Sequence, residues 1–338
     1  MSVRAGGCER GVWSAVFGCV VAMGVGVEAT PLAVVNPGFE DIGGESMVNE
    51  FTFGPLNGWG LYDPEGITGG GAGGTYFIGT LRPFEPDPVG EPGVYAFFDE
   101  GAIEGERVGI AFNFAGSGGE GAYGLEQTLV DELEALRRYR LTVEIGNIGS
   151  GTSLGGGFFP LDGFPGYRVD LLAGGVVIAS DLNTLAGSIP DGGWGTSSLV
   201  FTSGSSVFLE GEERIGQSLG IRLVNLNEVD AAFPGSDLEV DFDDVRLEVL
   251  MAADFNGDLT VDLIDLSVLA TNFDTGAGRL FAEGDANGDG FVDLIDLSVL
   301  ATLFGQSDVV LLPEPGVVGL MVGLGVLGVL VGRRGVRD

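Results

Sequence analysis

The chain has 338 residues, of which 62 are glycine and 22 phenylalanine, and its 49 acidic residues against 15 basic ones give a net charge of −34. A surface so negative excludes nucleic acid as a partner, because nucleic acid binds through neutralisation of its phosphates by cations. All basic residues are arginine, and the lack of histidine and lysine excludes a Ser-His-Asp triad, a Schiff base and an imidazole metal site. If the chain is an enzyme, the remaining option is acid–base or nucleophilic catalysis by a pair of carboxylates.

Residues 1–29 are predicted to be a secretory signal peptide. Arg4 and Arg10 precede an uncharged stretch, residues 11–27, and Ala29 ends a small-residue motif of the kind that a signal peptidase cleaves. The alternative is a retained membrane anchor, for which the apolar stretch is short. Both cysteines of the chain lie inside this segment, so we expect an exported protein without disulfides.

Residues 30–250 are predicted to form an all-β jelly-roll sandwich. Apolar residues alternate with other residues over short stretches broken by Gly, Pro, Asn and Asp, which is typical of strands and turns. No long helical segment separates these stretches, which favours antiparallel strands, and the only helix-like stretch is residues 131–138. The predicted strands contain Val108, Ile110 and Phe112; Leu141, Val143 and Ile145; Val169 and Leu171, with a hairpin to Val176 and Ile178; Ile221 and Leu223; and Leu238, Val240 and Phe242.

Two short motifs of this segment resemble the first and last strands of galactose-binding-like jelly rolls. They are Asn36-Pro37-Gly38-Phe39-Glu40 and residues 240–247. The resemblance implies a carbohydrate-binding-like body in which a calcium ion joins the first strand to the last. Glu40 and Asp243 would be its ligands, and the alternative is that both are solvated carboxylates at a sheet edge.

Five aromatic residues suit either a platform for a sugar ring or ordinary core packing, because flat apolar rings serve both purposes. Core packing is the simpler interpretation for each of them. The five are Trp59, Tyr62, Tyr76, Tyr95 and Trp194.

Residues 251–306 are predicted to form a calcium-binding module of two loop-helix repeats. In each loop, oxygen-bearing side chains stand at the spacing at which a turn surrounds a hard cation, and one backbone carbonyl completes the set. Apolar residues at helical spacing follow each loop, and the alternative is two Asp-rich turns without metal. The ligand positions are Asp254, Asn256, Asp258, Thr260, Asp262 and Asp265 in the first loop, and Asp285, Asn287, Asp289, Phe291, Asp293 and Asp296 in the second.

The paired repeats resemble a type I dockerin, which implies two Ca²⁺ ions and a cohesin-like protein partner. The first loop departs from the pattern, since Leu259 stands where the second loop has Gly290. Because this position requires a positive φ, we expect the first loop to be strained and to bind calcium more weakly. The apolar pairs 263–264 and 294–295 stand where dockerins carry polar residues. They either lie buried between the helices or form an apolar partner surface.

Residues 307–338 are predicted to be a sorting tail. Pro313, Glu314 and Pro315 precede an uncharged stretch, residues 316–332, which is long enough for a short transmembrane helix and is followed by arginines. These parts resemble the PEP-CTERM signal, which implies an exosortase-type sorting enzyme and a location at the cell surface or in the extracellular matrix. A plain membrane anchor is the alternative.

The sequence thus predicts a non-catalytic, exported surface or matrix protein. Its body would be carbohydrate-binding-like, with polysaccharide as a partner, and its calcium-binding module would serve for docking. Two alternatives stay open. One is a glycoside hydrolase or lyase that uses a carboxylate pair, and the other is a purely structural matrix protein.

Overall fold

The structure is a computed structural model that describes residues 29–83, 97–114, 121–204 and 214–308. The predicted signal peptide up to residue 28 and the predicted tail from residue 309 lie outside these ranges. The sorting motif at Pro313, Glu314 and Pro315 and the expected transmembrane helix, residues 316–332, therefore lie outside them too. In the part of the chain that the structure describes, every helix is too short or too polar to cross a membrane.

Most of the regular structure in the described residues is β-strand, and two helices come at the end. In chain order the strands are β1 Thr30–Leu32, β2 Phe51–Phe53, β3 Gly60–Tyr62, β4 Tyr76–Leu81, β5 Val108–Asn113, β6 Tyr123–Glu132, β7 Arg137–Asn147, β8 Gly151–Thr152, β9 Phe158–Phe159, β10 Tyr167–Ala173, β11 Val176–Leu182, β12 Gly193–Thr202, β13 Ser218–Asn225 and β14 Leu238–Met251. The helices are α1 Leu263–Asn272 and α2 Leu294–Leu303, with a 3₁₀ turn at Phe281–Glu283 between them.

The strands form two large antiparallel sheets. One sheet of seven strands has the order β12-β7-β14-β5-β4-β2, with β1 paired to β14. The other has five strands in the order β11-β10-β13-β6-β3, and β8 pairs with β9 separately. The prediction of a mostly-β sandwich with few helices is confirmed.

Side-chain alternation explains why the two sheets pack together. Successive residues of a strand point to opposite faces of the sheet. In β7 and β14 every second residue is apolar, and these residues point into the core between the sheets. Burial of each such side chain stabilises the fold by about 1.5–3 kcal/mol. The core includes Leu141, Val143 and Ile145 of β7, Val240 and Phe242 of β14, Val169 and Leu171 of β10, and Ile221 and Leu223 of β13.

A second apolar layer covers the outer face of the seven-stranded sheet. All six residues of β5 are buried, because this strand has apolar packing on both of its faces. Loop residues from distant parts of the chain fold over the outer face. The layer consists of Phe51, Phe77, Leu81, Val108, Ile110 and Phe112 from the strands, and Phe97, Phe98, Ile148 and Leu161 from the loops.

The helix-like stretch at residues 131–138 is not a helix. It comprises the end of β6, a four-residue turn at residues 133–136 and the start of β7, and Leu136 adopts a positive φ of 55° in the turn. The Tyr139 hydroxyl accepts a hydrogen bond from the amide of Glu134 at 2.8 Å, which holds the turn. The prediction was wrong because Leu133 and Leu136 are drawn into separate apolar clusters at the two sides of the turn.

The two helices begin where the predicted loops end. Asp262 and Asp293 cap α1 and α2, and Asp265 and Asp296 complete a capping box in each. Both helices pack into a third apolar cluster, which also contains Leu136 and Met251 from the sandwich. The helical segment therefore rests directly on one end of the sandwich.

Candidate functional site

Buried acidic side chains occupy one face of β14. Glu239 and Asp241 alternate with Val240 and Phe242, so the apolar residues enter the core while the carboxyl groups lie on the opposite face of the sheet. Glu239 is 2% exposed and Asp241 is 0% exposed. Glu239 Oε1 and both carboxyl oxygens of Asp241 lack a hydrogen-bond partner among the described residues. A buried polar group without a partner is costly, and such groups cluster at functional sites.

Burial favours the protonated form of both carboxyl groups. Burial raises the pKa of Glu239 to about 8, and the charge of Asp237 adds to this effect. Burial also raises the pKa of Asp241 well above its usual range, and the nearby charges of Glu239 and Asp243 contribute. A carboxylic acid that stays protonated at neutral pH can donate a proton or a hydrogen bond to a substrate.

An aromatic pocket lies on the same face of the sheet. Glu239 is the register partner of Phe112 in β5, and Phe112 is in turn the partner of Phe77 in β4. The rings of Phe77 and Phe112 stack with centroids 4.7 Å apart. They help to line a pocket of about 230 Å³ whose walls are Phe51, Phe53, Gly73, Gly74, Phe77, Phe112, Phe114 and Phe159.

The pocket suits a flat, apolar ligand. Its six phenylalanine rings present apolar faces and edges, and the two glycines contribute backbone but no side chains to the lining. Glu239 is the register partner of Phe112, which lies in the pocket wall, although Glu239 itself is not one of the lining residues. This combination supports chemistry on an apolar substrate that begins with protonation.

Two of the five aromatic residues are buried in the core and cannot serve as a sugar platform. Trp59 is 1% exposed, stacks on Phe39 and donates its indole N–H to Asn36 O at 2.9 Å, and Tyr76 is buried as well. Core packing is therefore confirmed for these two residues. Tyr62 is half-buried with the Arg222 guanidinium 3.9 Å from its ring centroid, and Trp194 stacks on another ring. Tyr95 lies outside the described residues.

Glu40 and Asp243 each bind backbone amides of one segment. Glu40 Oε1 accepts hydrogen bonds from the amides of Glu106 at 2.6 Å and Arg107 at 2.7 Å. Asp243 Oδ2 accepts from the amides of Ile103 at 2.7 Å and Glu104 at 2.8 Å. Asp243 is fully buried, so the alternative of a solvated edge carboxylate is wrong for it. The amides occupy Glu40 Oε1 and Asp243 Oδ2, and a calcium ion shared by the two residues stays a prediction.

The two predicted calcium loops have closely similar hydrogen-bond patterns, which differ in one amide donor to the first Asp. In each loop the first and last Asp accept hydrogen bonds from backbone amides inside the loop. Asp254 accepts from Gly257, Asp258 and Leu259 and Asp265 from Phe255, Asn256 and Asp262, while Asp285 accepts from Gly288 and Gly290 and Asp296 from Ala286, Asn287 and Asp293.

The other ligand positions also match between the loops. The side-chain amides of Asn256 and Asn287 donate to Asp258 and Asp289, and Asp262 and Asp293 accept from helix amides as caps. The Thr260 hydroxyl lies 3.2 Å from the Ser307 hydroxyl, and Phe291 is half exposed. Across residues 29–83, 97–114, 121–204 and 214–308, no three or more acidic side chains gather into a metal-binding group. The donor set itself, all oxygen, fits the preference of Ca²⁺.

The first loop contains the backbone conformation that its sequence disfavours. Leu259 has a φ of 66°, and Gly290 at the equivalent position has a φ of 84°. A non-glycine residue in this region costs about 1 kcal/mol. Burial, followed by the charge of Asp265, raises the pKa of Asp254 to about 6. Burial also raises the pKa of Asp265 and of Asp296. In both loops, therefore, the ionised form of a carboxylate is disfavoured by burial and has no cation beside it among the described residues.

The apolar residues at the start of the helices are exposed. Leu263 is 70% exposed and Leu294 is 71% exposed, so the alternative in which they lie buried between the helices is wrong. No charged neighbour or groove in the described part of the chain identifies what would cover them.

The sandwich matches one known family. The family described as HpiC1-like, HpiC1 cyclase, matches residues 30–248. The chain belongs to this family. No curated protein matches it.

Solved cyclase structures from Fischerella are similar to this HpiC1-like chain. The Stig cyclase Fisc from Fischerella sp. TAU, in complex with (3Z)-3-(1-methyl-2-pyrrolidinylidene)-3H-indole, is 35% identical, with a TM-score of 0.51 over 66% of this chain and 98% of that one. A cyclase from Fischerella sp. TAU in complex with 4-(1H-indol-3-yl)butan-2-one is 34% identical, with a TM-score of 0.51 over 65% and 98%. An apo form cyclase from Fischerella sp. is 32% identical, with a TM-score of 0.50 over 66% and 97%.

Membership of the HpiC1-like family corrects the functional predictions. The interpretation as a non-catalytic, carbohydrate-binding-like matrix protein with a docking module is wrong, because the family is one of cyclases. The prediction that the chain is not an enzyme is wrong for the same reason. The glycan-cleaving and purely structural alternatives fall with it. Missing histidine and lysine exclude many reactions, but a buried carboxylic acid can still transfer a proton.

Glu239 and Asp241 were missed at the sequence level. The motif around them was noted only as the last strand of a jelly roll. The alternation of acidic and apolar residues is visible in the sequence, but the pairing of this segment with β5, which is apolar on both faces, is seen only in the structure. Carboxyl groups next to such a strand are expected to be buried rather than solvated.

Proposed function

We propose that this protein is a cyclase that starts ring closure by protonating its substrate with the Glu239 carboxyl group. The observation that carries this proposal is the buried Glu239 carboxyl, whose pKa is raised by burial to about 8, on the strand next to Phe112 in the wall of a pocket of six phenylalanine rings. Membership of a cyclase family supports it. General acid catalysis of this kind contributes about 10²–10⁴-fold to a rate.

The reaction balances without an oxidant, a reductant or a second substrate. The Glu239 O–H bond breaks and its proton adds to a basic nitrogen or a double bond of the substrate, which becomes a cation. A second double bond of the same substrate then supplies the electron pair for the new carbon–carbon bond. Loss of a proton from the product cation returns the carboxylate to its acid form, so the product is an isomer of the substrate.

Asp241 has a supporting role in this scheme. Its carboxyl is two residues along the strand from Glu239, is fully buried and is not part of the pocket wall. The negative charge that Glu239 acquires after proton transfer is stabilised when Asp241 stays protonated. The phenylalanine rings exclude water and stabilise the cation through their negative faces.

The substrate class that the pocket suits is an indole bearing an unsaturated side chain. Two of the solved relatives hold indole compounds, and a flat indole ring matches the aromatic walls of this pocket. The adjoining acid would protonate the ring or its side chain.

The test is turnover of a panel of 3-substituted indoles with alkene side chains, followed by mass spectrometry and NMR of the isomeric products. Glu239→Gln keeps the shape of the side chain but removes its acid, and we expect a loss of about 10²–10⁴-fold in kcat. Glu248→Gln, further along the same strand and paired with Arg140, is the matched control and should keep full activity. Unchanged activity in Glu239→Gln would contradict the proposed acid.

We infer further that residues 254–265 and 285–296 bind two Ca²⁺ ions. Support comes from the all-oxygen donor sets, the closely similar hydrogen-bond patterns and the positive φ at Leu259 and Gly290. Calcium would neutralise the buried carboxylates of the loops. The resemblance to a dockerin also supports the assignment, while a cohesin-like partner stays a prediction.

The finer fold and the predicted location are proposals too. Pairing of β1 with β14 brings the two ends of the sandwich together, as expected of a jelly roll. Export, PEP-CTERM sorting and the C-terminal membrane helix rest on sequence patterns outside the described residues.

A further inference from the structure

A short hairpin, β8 and β9 with the turn between them (residues 151–159), supplies one wall of the aromatic pocket. Its two-residue strands pair with each other, and the amide of Gly156 donates to Ser153 O at 2.8 Å, which closes the turn. Phe159 lines the pocket, whereas its neighbour Phe158 is 66% exposed. Successive residues of a strand point to opposite faces, so the hairpin gives one ring to the pocket and one to the surface.

Phe159 packs against rings that come from the seven-stranded sheet. Its ring centroid lies 5.8 Å from that of Phe51, 5.9 Å from that of Phe112 and 6.3 Å from that of Phe114. Phe51 belongs to β2, Phe112 to β5, and Phe114 directly follows β5. The wall at Phe159 therefore exists only while the hairpin stays against the sheet.

The base of the hairpin is held by Ser150 and Asp162. Ser150 Oγ accepts hydrogen bonds from the amides of Leu161 at 2.9 Å and Asp162 at 3.1 Å, and the Ser150 amide donates to Asp162 Oδ1 at 3.2 Å. A Cβ atom on Gly151 would lie 2.7 Å from Phe97 Cε1, so the first strand of the hairpin rests closely on the Phe97 ring. These contacts hold one end of the hairpin, and its tip needs a contact of its own.

The tip is held by the side chain of Glu50, the residue before β2. The amide of Leu154 donates to Glu50 Oε1 at 3.1 Å and to Glu50 Oε2 at 3.2 Å. Glu50 is 1% exposed, and a buried carboxyl group needs hydrogen-bond partners because it has lost water. The backbone of Glu50 is itself fixed, since its carbonyl accepts from the Arg82 amide at 2.9 Å. A buried side chain of the sheet thus binds the turn of a hairpin about 100 positions further along the chain.

We propose that Glu50 is a positioning residue of the aromatic pocket: it binds the tip of the hairpin and so keeps Phe159 in the pocket wall, where this ring determines how tightly a flat apolar ring is held. The role rests on the proposed function, which places the substrate ring in this pocket. Glu50 is not one of the lining residues, so it acts through the hairpin and not on the substrate.

Glu50→Leu is the main variant, because it removes both acceptor oxygens and keeps much of the bulk. Glu50→Gln keeps one acceptor oxygen and is the conservative variant for rescue. Thr52→Val is the matched control: Thr52 is 0% exposed and its hydroxyl lies 2.8 Å from Thr80 Oγ1, so this variant also loses a buried hydrogen bond, but not one to the hairpin. Glu50→Asp, which draws the carboxyl group back from Leu154, takes the place of Glu50→Leu if that variant does not fold.

The first measurement is hydrogen exchange of the Leu154 amide in the full chain. We expect this amide to exchange at least about tenfold faster in Glu50→Leu than in the unchanged protein, because it loses its acceptor and the tip of the hairpin opens more often. Glu50→Gln should restore most of the protection. Thr52→Val should leave exchange at Leu154 unchanged.

The second measurement is calorimetry of 3-methylindole binding, which requires no turnover. Glu50→Leu and Phe159→Ala should each weaken binding roughly tenfold, since each removes one aromatic wall from the ligand. The double variant should bind no more weakly than Phe159→Ala alone, because Glu50 acts through that ring. Glu50→Gln should bind nearly as the unchanged protein does, and Thr52→Val fully so.

Unchanged exchange at Leu154 in a folded Glu50→Leu protein would overturn the proposal, as would additive losses in the double variant or an equal loss in Thr52→Val. Absence of 3-methylindole binding in the unchanged protein would overturn the role of Phe159, and turnover of the indole panel would then decide the proposed function by itself. If Glu239→Gln retains full cyclase activity while Glu50→Leu and Phe159→Ala weaken binding non-additively, the proposed acid fails and the positioning role stands. If Glu239→Gln is inactive and Glu50→Leu binds 3-methylindole as the unchanged protein does, the positioning role alone fails.

Discussion

Glu239→Gln should make the protein more resistant to unfolding at alkaline pH. In the folded protein burial raises the pKa of Glu239 to about 8, against an ordinary value of 4.5. Below pH 4.5 both folded and unfolded states carry the proton. Between pH 4.5 and 8 the unfolded chain loses its proton while the folded protein keeps it, so stability falls as the pH rises. The full difference corresponds to about 5 kcal/mol, at about 1.36 kcal/mol per pKa unit.

The measurement is urea unfolding at a series of pH values from about 4.5 to 9, for the unchanged protein and the variant. Glutamine does not ionise, so the free-energy difference between the two proteins should move in favour of the variant by about 5 kcal/mol across this window. Other groups with a raised pKa, such as Asp243 and the loop carboxylates, titrate in both proteins and cancel in the difference. Asp241 does not cancel fully, because the charge of Glu239 contributes to its raised pKa. Glu248→Gln serves as the control, because this carboxylate is partly exposed. Parallel pH curves for the unchanged protein and Glu239→Gln would refute the buried, protonated state of Glu239.

Three further predictions concern activity and calcium. Cyclase activity should fall as the pH rises past about 8, since the Glu239 acid is then ionised, and a rate that stays level to about pH 10 would contradict the acid role. Leu259→Gly should tighten calcium binding by the first loop roughly fivefold, because it removes about 1 kcal/mol of backbone strain at a φ of 66°. Calorimetry measures this change in affinity, and Gly290→Ala should weaken calcium binding by the second loop. Asp285→Ala should remove one of two calcium ions, and calorimetry that still counts two sites in this variant would count against the loop assignment.

The local sequence pattern was sufficient to predict much of the fold. Period-two alternation predicted the strands around Ile110, Val143 and Val240, and each is a strand in the structure. Loop spacing and apolar stripes predicted the two helices, which begin directly after the loops. These features depend on residues close together in the sequence, so they can be predicted from the sequence alone.

The candidate site depends on contacts between distant segments. An alternating stretch such as residues 238–243 is ordinarily half-buried, with its carboxylates in water. Here the outer face is covered by residues 97–104 and by loop residues such as Leu161, which are separated from β14 by about 80 to 140 positions and whose fold no local pattern specifies. The buried state of Glu239, and with it the acid, could not be predicted without that cover.

The apolar cluster shared by the helices and the sandwich has a practical consequence for shortening the chain. The region that matches the cyclase family ends at residue 248, and a truncated protein that stops there would lack α1 and α2. Leu136 and neighbouring apolar side chains at that end would then face water, which costs about 1.5–3 kcal/mol for each large side chain. The exposed apolar surface would also favour aggregation. Recombinant production should therefore retain the chain through Asp308, whose carboxylate pairs with Arg137 at 2.5 Å and fastens the helical segment to β7.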